Sequence, residues 1–192
     1  MNIYFTAPIK GIEPIEPHLR QIHKLIQTLG YSHIDNYLER LNNGKKFYDN
    51  LDKGGKEAHD RYFTETMDSL INADINIFEC SIPSLGVGFQ VEKSLTYNKP
   101  TVILYYTNHV PHFLVAGTVN EHLLIREYNE KNIADVLQEV IEQAKQISDK
   151  RFNFFISPSL LGFLDEESSK RGITKSAFIR QLILEDRKKK TK

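Results

Sequence analysis

The sequence predicts an α/β protein, a parallel sheet covered by helices on both faces, followed by a small second unit of different design. Two observations carry the first part: short β-branched or aromatic runs at Asn2 to Ala7, Asp74 to Cys80, Thr101 to Tyr106 and Leu123 to Tyr128, and helix-spaced apolar stripes between them. Strands that alternate with helices belong in a parallel sheet buried on both sides. A third observation ends that pattern. From Arg151 the chain shows one alternating strand, to Ser157, then two short helical segments, which sets domains at 1–150 and 151–192.

Asn2 to Ala7 runs into Pro8 and Gly11, so it reads as a buried strand followed by a loop. Leu19, Ile22, Leu25, Ile26 and Leu29 recur at helical spacing, and Gly30 is placed to stop that helix. Asn42 to Gly55 is rich in Asn, Gly and Lys, which predicts a mobile loop over one edge of the fold. Phe63, Met67, Leu70 and Ile71 form a second helical stripe ahead of the strand at Asp74, and Gly86 to Asn98 reads as a loop entering a helix. Ile133, Val136, Leu137, Val140, Ile141, Ala144 and Ile147 then draw a long amphipathic helix.

In the second unit Phe152, Phe154 and Ile156 fall on one face of the strand, and Arg151, Asn153 and Phe155 on the other. Leu160, Leu161 and Leu164 begin a helix from Ser157 or Pro158, and Gly172 ends it. Thr174 is a good N-cap for a second helix bearing Phe178, Ile179, Leu182 and Ile183. A unit of about forty residues with a single strand buries too little apolar surface alone, and pairing with a second copy would remedy this.

The 192 residues hold 25 basic and 25 acidic side chains, unevenly placed. From Arg151 onward there are ten basic and five acidic residues, leaving fifteen and twenty before it. A basic tail on a mildly acidic body suggests a polyanionic partner for the tail; a solvated Lys run at Arg187 to Lys192 explains part of the excess. One cysteine excludes an internal disulfide framework and a Cys-rich zinc module, and makes a reducing, cytoplasmic compartment the default. Met1 to Lys10 carries no leader pattern, and no stretch approaches the roughly 20 apolar residues that cross a bilayer, so a soluble, unexported protein is expected. The seven histidines lack metal-ligand spacing, His18 and His23 fall on an expected exposed helix flank, and Cys80 reads as packing. No metal or cofactor is expected.

Ligands of open α/β sheets bind beyond the carboxyl ends of the strands, which points to the loops Thr6 to Gly11 and Ser81 to Gly88. The second loop has two glycines that bare the backbone and a serine hydroxyl, ahead of a helix N-terminus whose free N–H groups suit an anion. Lys10 can supply charge from the facing loop. Gly86-Val87-Gly88 alone is equally well a tight turn feeding a helix; the two loops together favour an anion site.

Ile3-Tyr4-Phe5 with Lys10-Gly11, Asn72-Ala73-Asp74, Pro83 to Gln90 and Asn98-Lys99-Pro100 resemble the nucleoside 2-deoxyribosyltransferase superfamily, in particular its 2'-deoxynucleoside 5'-monophosphate N-hydrolases. The resemblance covers Met1 to Lys150, and Ser84-Leu85-Gly86-Val87-Gly88-Phe89 is its most specific part. It implies a flavodoxin-like fold, a homodimer with composite sites, and cleavage of an N-glycosidic bond without metal. It also implies that Tyr4, Phe5, Thr6 and Ile9 line the base and sugar pocket and that Lys10, Gly11, Ser84, Gly86 and Gly88 cradle a 5'-phosphate. His112 would sit near where the family reaches into the partner's site.

The departure falls at the centre of the implied mechanism. The family places a nucleophilic glutamate straight after Gly-Val-Gly-aromatic, and this chain has Gln90. An amide is neutral and a poor nucleophile, so the protein should bind substrate and hardly turn it over. Glu92 lies about 200° further around the helix and points away. The family's second acid falls at Thr66, with Glu65 and Asp68 close but displaced. Either the natural protein only binds, or glutamate was exchanged for glutamine to make the enzyme inert; an isosteric swap in an otherwise intact motif favours the exchange.

Arg151 to Ile156, a first helix, then Gly172-Ile173-Thr174-Lys175-Ser176-Ala177-Phe178-Ile179-Arg180 resemble a ribbon-helix-helix DNA-binding domain. Such domains intertwine as dimers whose paired strands enter the major groove, which implies that Arg151, Asn153 and Phe155 face the bases and that Thr174 and Lys175 clamp a phosphate. A clasp used only for dimerisation is the competing reading, since Phe155 is no base-edge hydrogen bonder. The expected function is an N-glycosidase of nucleosides or nucleoside 5'-monophosphates joined to a DNA-binding dimer. That architecture resembles nucleotide-depleting toxin effectors of retron anti-phage systems, with an inhibitory protein or nucleic acid as a further partner and no role for a membrane. The alternative expectation is a nucleotide-sensing DNA-binding regulator.

Overall fold

The computed structural model describes residues 1–117, 120–147 and 154–190, which divide into two compact units, Met1–Asp149 and Lys150–Lys192. In the first unit the elements are β1 (Asn2–Thr6), α1 (Glu16–Thr28), β2 (Ser32–His33), α2 (Tyr37–Asn72), β3 (Ile75–Glu79), α3 (Leu85–Thr96), β4 (Thr101–Tyr106), α4 (His112–Gly117), β5 (Leu123–Tyr128) and α5 (Ile133–Ile147). The five strands pair in parallel in the order β2-β1-β3-β4-β5. This is the flavodoxin-like order, with its switch point between β1 and β3.

Side chains alternate along each strand, so each strand feeds two cores. Ile3 and Phe5 of β1, Ile75 and Ile77 of β3 and Val102 and Leu104 of β4 pack with α1 and α5 on one face. Tyr4, Phe78 and Ile103 pack with Val87, Val91 and Leu95 of α3 and with Met67 and Leu70 of α2 on the other. A buried polar clamp registers the amino ends of the central strands: Asn76 donates to the Leu70 carbonyl at 3.1 Å and to Ser94 Oγ at 2.8 Å, and Ser94 bonds Thr101 Oγ1 at 2.6 Å.

The structure corrects the sequence reading of residues 42–55. In place of a mobile loop there is helix, and α2 continues through this stretch with non-helical backbone at Gly44 (φ 39°, ψ −109°) and Gly55 (φ 59°, ψ −152°). Positive φ is open to glycine at little steric cost, so the two glycines act as corners between helical pieces. The corners have a purpose in the packing. Tyr37 and Leu41, at the start of α2, lie in the α1 face core, while Met67 and Leu70, at its end, lie in the α3 face core. Between them the chain passes the loop after β1, where Tyr37 Oη donates to the Pro8 carbonyl at 3.1 Å. Two short elements, β2 and α4, carry too few residues to leave a periodic signal in the sequence.

His23 also departs from expectation, being 6% exposed rather than on an open flank. Its ring stacks on His33 at 3.6 Å, whose Nε2 bonds the His23 carbonyl at 3.0 Å, and Nδ1 of each ring is buried without a partner. His18 is half-buried and stacks on Tyr106 at 4.8 Å.

In the second unit α6 (Pro158–Arg171) and α7 (Lys175–Lys190) form a hairpin. Ser157 caps α6, accepting from the Leu160 N–H at 3.4 Å, and Gly172 closes it in the left-handed conformation. Thr174 caps α7, accepting from the Ala177 N–H at 3.2 Å. Among the described residues of this unit Leu164 and Phe178 are buried apolar side chains, and Arg171 lies 4.5 Å over the Phe178 ring. Phe154, Phe155, Leu160, Leu161, Phe163, Leu182 and Ile183 are exposed. The expected ribbon strand is not seen at residues 154–157; a strand exists only through its ladder, and this unit has no other strand among its described residues to supply one. Arg151 and Asn153 lie outside the described residues. Among the described residues no helix is long and apolar enough to cross a membrane.

The histidine stack makes stability depend on pH. Burial, then the neighbouring His33, pushes His23 down to about 4, and burial lowers His33 as well. Below about pH 6.5 the unfolded chain binds protons that the folded chain refuses, so stability should fall as pH drops from about 6.5 toward 4. Urea midpoints across that range should decline less steeply in His23→Phe than in the parent chain. Equal slopes would rule the stack out as the titrating element.

Candidate functional site

Alternation in β1 decides which side chains reach the crevice at the switch point. Tyr4 turns toward α3, where its buried phenol donates to Gln90 Oε1 at 2.9 Å, and Thr6 lies beside it. Burial, with a further contribution from the Asp35 charge, pushes the Tyr4 phenol well above its ordinary value, so it is a hydrogen-bond donor at any physiological pH. Asp35 takes Arg40 in a two-point pair, Nη1 to Oδ1 at 2.6 Å and Nη2 to Oδ2. Burial works against the Arg40 charge, but the hydrogen bond and charge of Asp35 outweigh it and the guanidinium pKa stands above its usual value. Arg40, Asp35 and Tyr62 all lie within electrostatic reach of the Tyr4 hydroxyl.

The middle of α2 adds an aromatic wall. Phe47 meets the edges of Tyr48 and Tyr62 at 5.3 and 5.1 Å, and Lys10 Nζ sits 4.2 Å from the centre of the Tyr48 ring. Lys10 thus reaches from the loop after β1 to the helix that arches past it. The loops after β1 and β3 meet at Gly11 (φ +71°), where an added Cβ would stand 3.9 Å from Ile82 Cγ2.

At the head of α3, Ser84 Oγ accepts from the Val87 N–H at 3.4 Å, and the Gly88 N–H is spent on the Ser84 carbonyl at 3.0 Å. The N–H groups of Leu85 and Gly86 and the Ser84 hydroxyl proton remain for a ligand at this helix start. Gly86 and Gly88 lie inside the helix, and neither has a positive φ. A Cβ at Gly88 would meet nothing within 4 Å, and one at Gly86 only Ser84 Oγ at 3.9 Å. The reading of these glycines as a tight turn therefore fails, because neither conformation nor crowding in the fold demands them.

On the far side of α3 a cavity of about 870 Å³ runs between α3 and the α4 segment, lined by Cys80, Ser84, Gly88, Glu92, His112 and Phe113 among others. Its rim is apolar and open, with Leu85 93% and Phe113 92% exposed. Burial pushes the Cys80 thiol far up, which leaves it inert.

The structure thus brings Tyr4, Thr6 and Gln90 together, seats Lys10 on Tyr48, and places Ser84, Gly88 and His112 around the cavity. Phe5 is not among them. It points to the other face, its ring 5.1 Å from Tyr37 and 6.4 Å from His23, because its neighbour Tyr4 takes the crevice side. Ile9 packs half-buried on the α1 face core. Glu92 faces the cavity rather than Tyr4, as the helical angle requires. Thr66 is half-buried on α2, while Glu65 and Asp68 are exposed. Sequence reasoning missed Asp35, Arg40, Tyr48 and Tyr62; opposite charges five residues apart and tyrosines near the Gly44 to Gly55 run were their only trace. In the second unit Thr174 is occupied as a cap, Lys175 Nζ pairs with Asp165 at 2.7 Å, and Phe155 is exposed. Among the described residues no group of three or more His, Cys, Asp or Glu side chains could hold a metal ion.

No family model matches the chain. It is similar to a 5-hydroxymethyl-dUMP N-hydrolase of Danio rerio, 29% identical over 152 residues that cover 74% of this chain and 96% of the relative. A 5-hydroxymethyl-dUMP N-hydrolase of Esox lucius is 26% identical over 142 residues, 72% of this chain and 94% of the relative. Among solved structures, the CMP N-glycosidase BcmB of Clostridium botulinum aligns with a TM-score of 0.48 at 12% identity, over 73% of this chain and 99% of that one. The curated relatives are nucleotide N-hydrolases, which supports the general kind of reaction and the deoxyribosyltransferase-like superfamily.

The unforced glycines give a direct test. A glycine within a helix costs about 0.5–1 kcal/mol relative to alanine. Gly88→Ala should therefore raise the denaturation midpoint by a corresponding amount. A lower midpoint would mean that the fold, not a ligand, selects glycine here.

Proposed function

We propose that the first unit is a nucleotide N-glycosidase site in which position 90 is the nucleophile position. The observation that carries this is the Tyr4 to Gln90 hydrogen bond, set at the switch point behind the Ser84-capped start of α3, in a chain whose curated relatives hydrolyse nucleotides. With a carboxylate at position 90, the oxygen would attack the anomeric carbon as the C–N bond to the base breaks. The base leaves in that step, taking up a proton from solvent, and water then attacks the glycosyl ester, its hydroxyl going to the sugar and its proton to solvent as the carboxylate is restored. The free N–H groups of Leu85 and Gly86, the Ser84 hydroxyl and Lys10 are the donors offered to a 5'-phosphate. Tyr48 and Tyr62 offer faces for the base. We further propose a homodimer that covers the apolar rim at Leu85, Phe89 and Phe113, bringing His112 toward the partner's site.

Gln90→Glu should release free base from a deoxynucleoside 5'-monophosphate, assayed by chromatography over a panel of bases, while the Gln90 chain should bind without release. Release by neither form across the panel would rule the enzyme reading out, and so would equal release by both.

Gln90 itself favours a second reading, a nucleotide-sensing unit that does not cut, coupled to a DNA-binding dimer. The ribbon-helix-helix pattern, the basic surplus after Arg151 and the exposed apolar side chains of α6 and α7 support a second unit that pairs with another copy and contacts nucleic acid. A nucleotide-depleting effector restrained by an inhibitory partner is the setting this architecture resembles. In duplex-binding titrations of the full chain, Lys175→Ala should weaken all sequences alike and lower the salt slope by about one per contact. Absence of salt-sensitive binding to any duplex would leave the second unit as a clasp.

A further inference from the structure

Glu79 ends the central strand β3, and its side chain is 0% exposed. All of its bonding partners are neutral donors. The Ser81 N–H reaches Oε2 at 3.3 Å, and Ser81 Oγ and Tyr128 Oη donate to Oε1, the latter at 3.1 Å. Ser81 Oγ also accepts the Tyr106 N–H at 2.7 Å, tying β4 to the same point. This network holds the first residues of the Ser81 to Gly88 segment, which leads to the head of α3. Tyr37, whose hydroxyl tethers the β1 loop at Pro8, also lies within electrostatic reach of Glu79. A buried carboxylate thus anchors the start of the loop after β3 through Ser81 and lies within electrostatic reach of Tyr37, which tethers the loop after β1, and of His109; its hydrogen bonds come from neutral donors.

We propose that Glu79 is a positioning residue of this site, and that entry of a nucleotide phosphate at the head of α3 is coupled to uptake of a proton by its buried carboxyl. The inference rests on the nucleotide reading above. An ionised carboxyl that has lost its water is already costly, and a second anion bound at the end of the loop it anchors raises that cost. Protonation removes the repulsion and frees the Ser81 N–H from its charged acceptor.

Burial pushes the Glu79 carboxyl up to about 7, against the pull of the hydrogen bonds from Ser81 and Tyr128, so coupling would be felt near neutral pH. The titratable groups around it are Tyr128 from β5, Tyr37 from α2, Cys80 beside it and His109 from the loop after β4; His18 of α1 stands behind Tyr128, their rings 6.2 Å apart. The tyrosines and the thiol are all raised by burial and stay neutral in this range. Reciprocity then fixes the sign. If phosphate raises the Glu79 pKa, affinity must fall as pH rises from the free value toward the bound one.

The test measures binding of deoxynucleoside 5'-monophosphates of the four bases, inorganic phosphate and the matching nucleosides by the full chain, from pH 6 to 8.5. Calorimetry in two buffers of different ionisation heat reads the protons taken up. Monophosphate affinity of the parent chain should fall about tenfold relative to Glu79→Gln across that range, the two converging at the acid end. The excess proton uptake should be absent in Glu79→Gln. Nucleosides should bind both chains with parallel profiles. Tyr128→Phe removes a donor to the ionised carboxyl and should move the decline to higher pH, and it decides the matter if Glu79→Gln does not fold. Monophosphate binding with parallel profiles, equal proton uptake and no shift in Tyr128→Phe overturns the coupling alone. Failure of the parent chain to bind any nucleotide or phosphate at any pH overturns the nucleotide reading and the coupling with it.

Discussion

The reversal of strand order beside β1 is the constraint on which the rest of the first unit depends. After β1 the chain leaves toward α1 on one face, and after β3 it leaves toward α3 on the other. Two neighbouring parallel strands thus send their loops apart, and a crevice opens between them because no connection fills it. Everything that reaches the crevice follows from strand alternation and from what crosses above. Tyr4 reaches it and Phe5 does not, and the hydrogen bond from Tyr4 to Gln90 ties the first strand to the helix that starts from the third.

A helix that must begin in one core and end in the other cannot be straight. α2 meets this by turning at Gly44 and Gly55, and the cost of those corners is offset by what the middle piece delivers. It brings Tyr48 to Lys10, and the pieces on either side of it carry Arg40 and Tyr62 within electrostatic reach of the Tyr4 hydroxyl. The same device explains the largest failure of sequence reasoning. Gly44 and Gly55 interrupt the periodicity that marks a helix, and the intervening Asn, Gly and Lys residues carry no apolar stripe because this piece spans a crevice instead of covering a sheet face. The strands at Asn2, Asp74 and Thr101 were legible because they are largely buried on both sides and read as mostly apolar runs, and the edge strand at Leu123 because its first three residues are apolar. The site was legible where it is local: Ser84, Gly86, Gly88 and Gln90 lie on one short stretch. It was illegible where it is assembled, since nothing in sequence ties Asp35, Arg40 and Tyr62 to Tyr4.

Histidine reading failed for a related reason. His23 recurs within the α1 stripe, and a polar residue there is ordinarily assigned to solvent. Its burial is made tolerable by His33 from the short strand β2, which stacks on its ring and bonds its carbonyl. That partner belongs to an element of two residues, too short to be anticipated.

The head of α3 joins two demands that pull against each other. For the helix alone, alanine would serve better than glycine at positions 86 and 88, since nothing stands within 3.9 Å of the space a Cβ would take. For a ligand or a partner chain seated at that turn, a bare backbone allows close approach. Ser84 shows how both demands are met at once, because its oxygen caps Val87 while its proton stays available. Gln90 stands one and a half turns further on, held by Tyr4. The phenol there is a neutral donor, and a carboxylate would accept that same hydrogen bond more strongly than the amide does. The same donor thus serves the amide oxygen present and would serve a carboxylate, while the Asp35–Arg40 pair nearby carries no net charge.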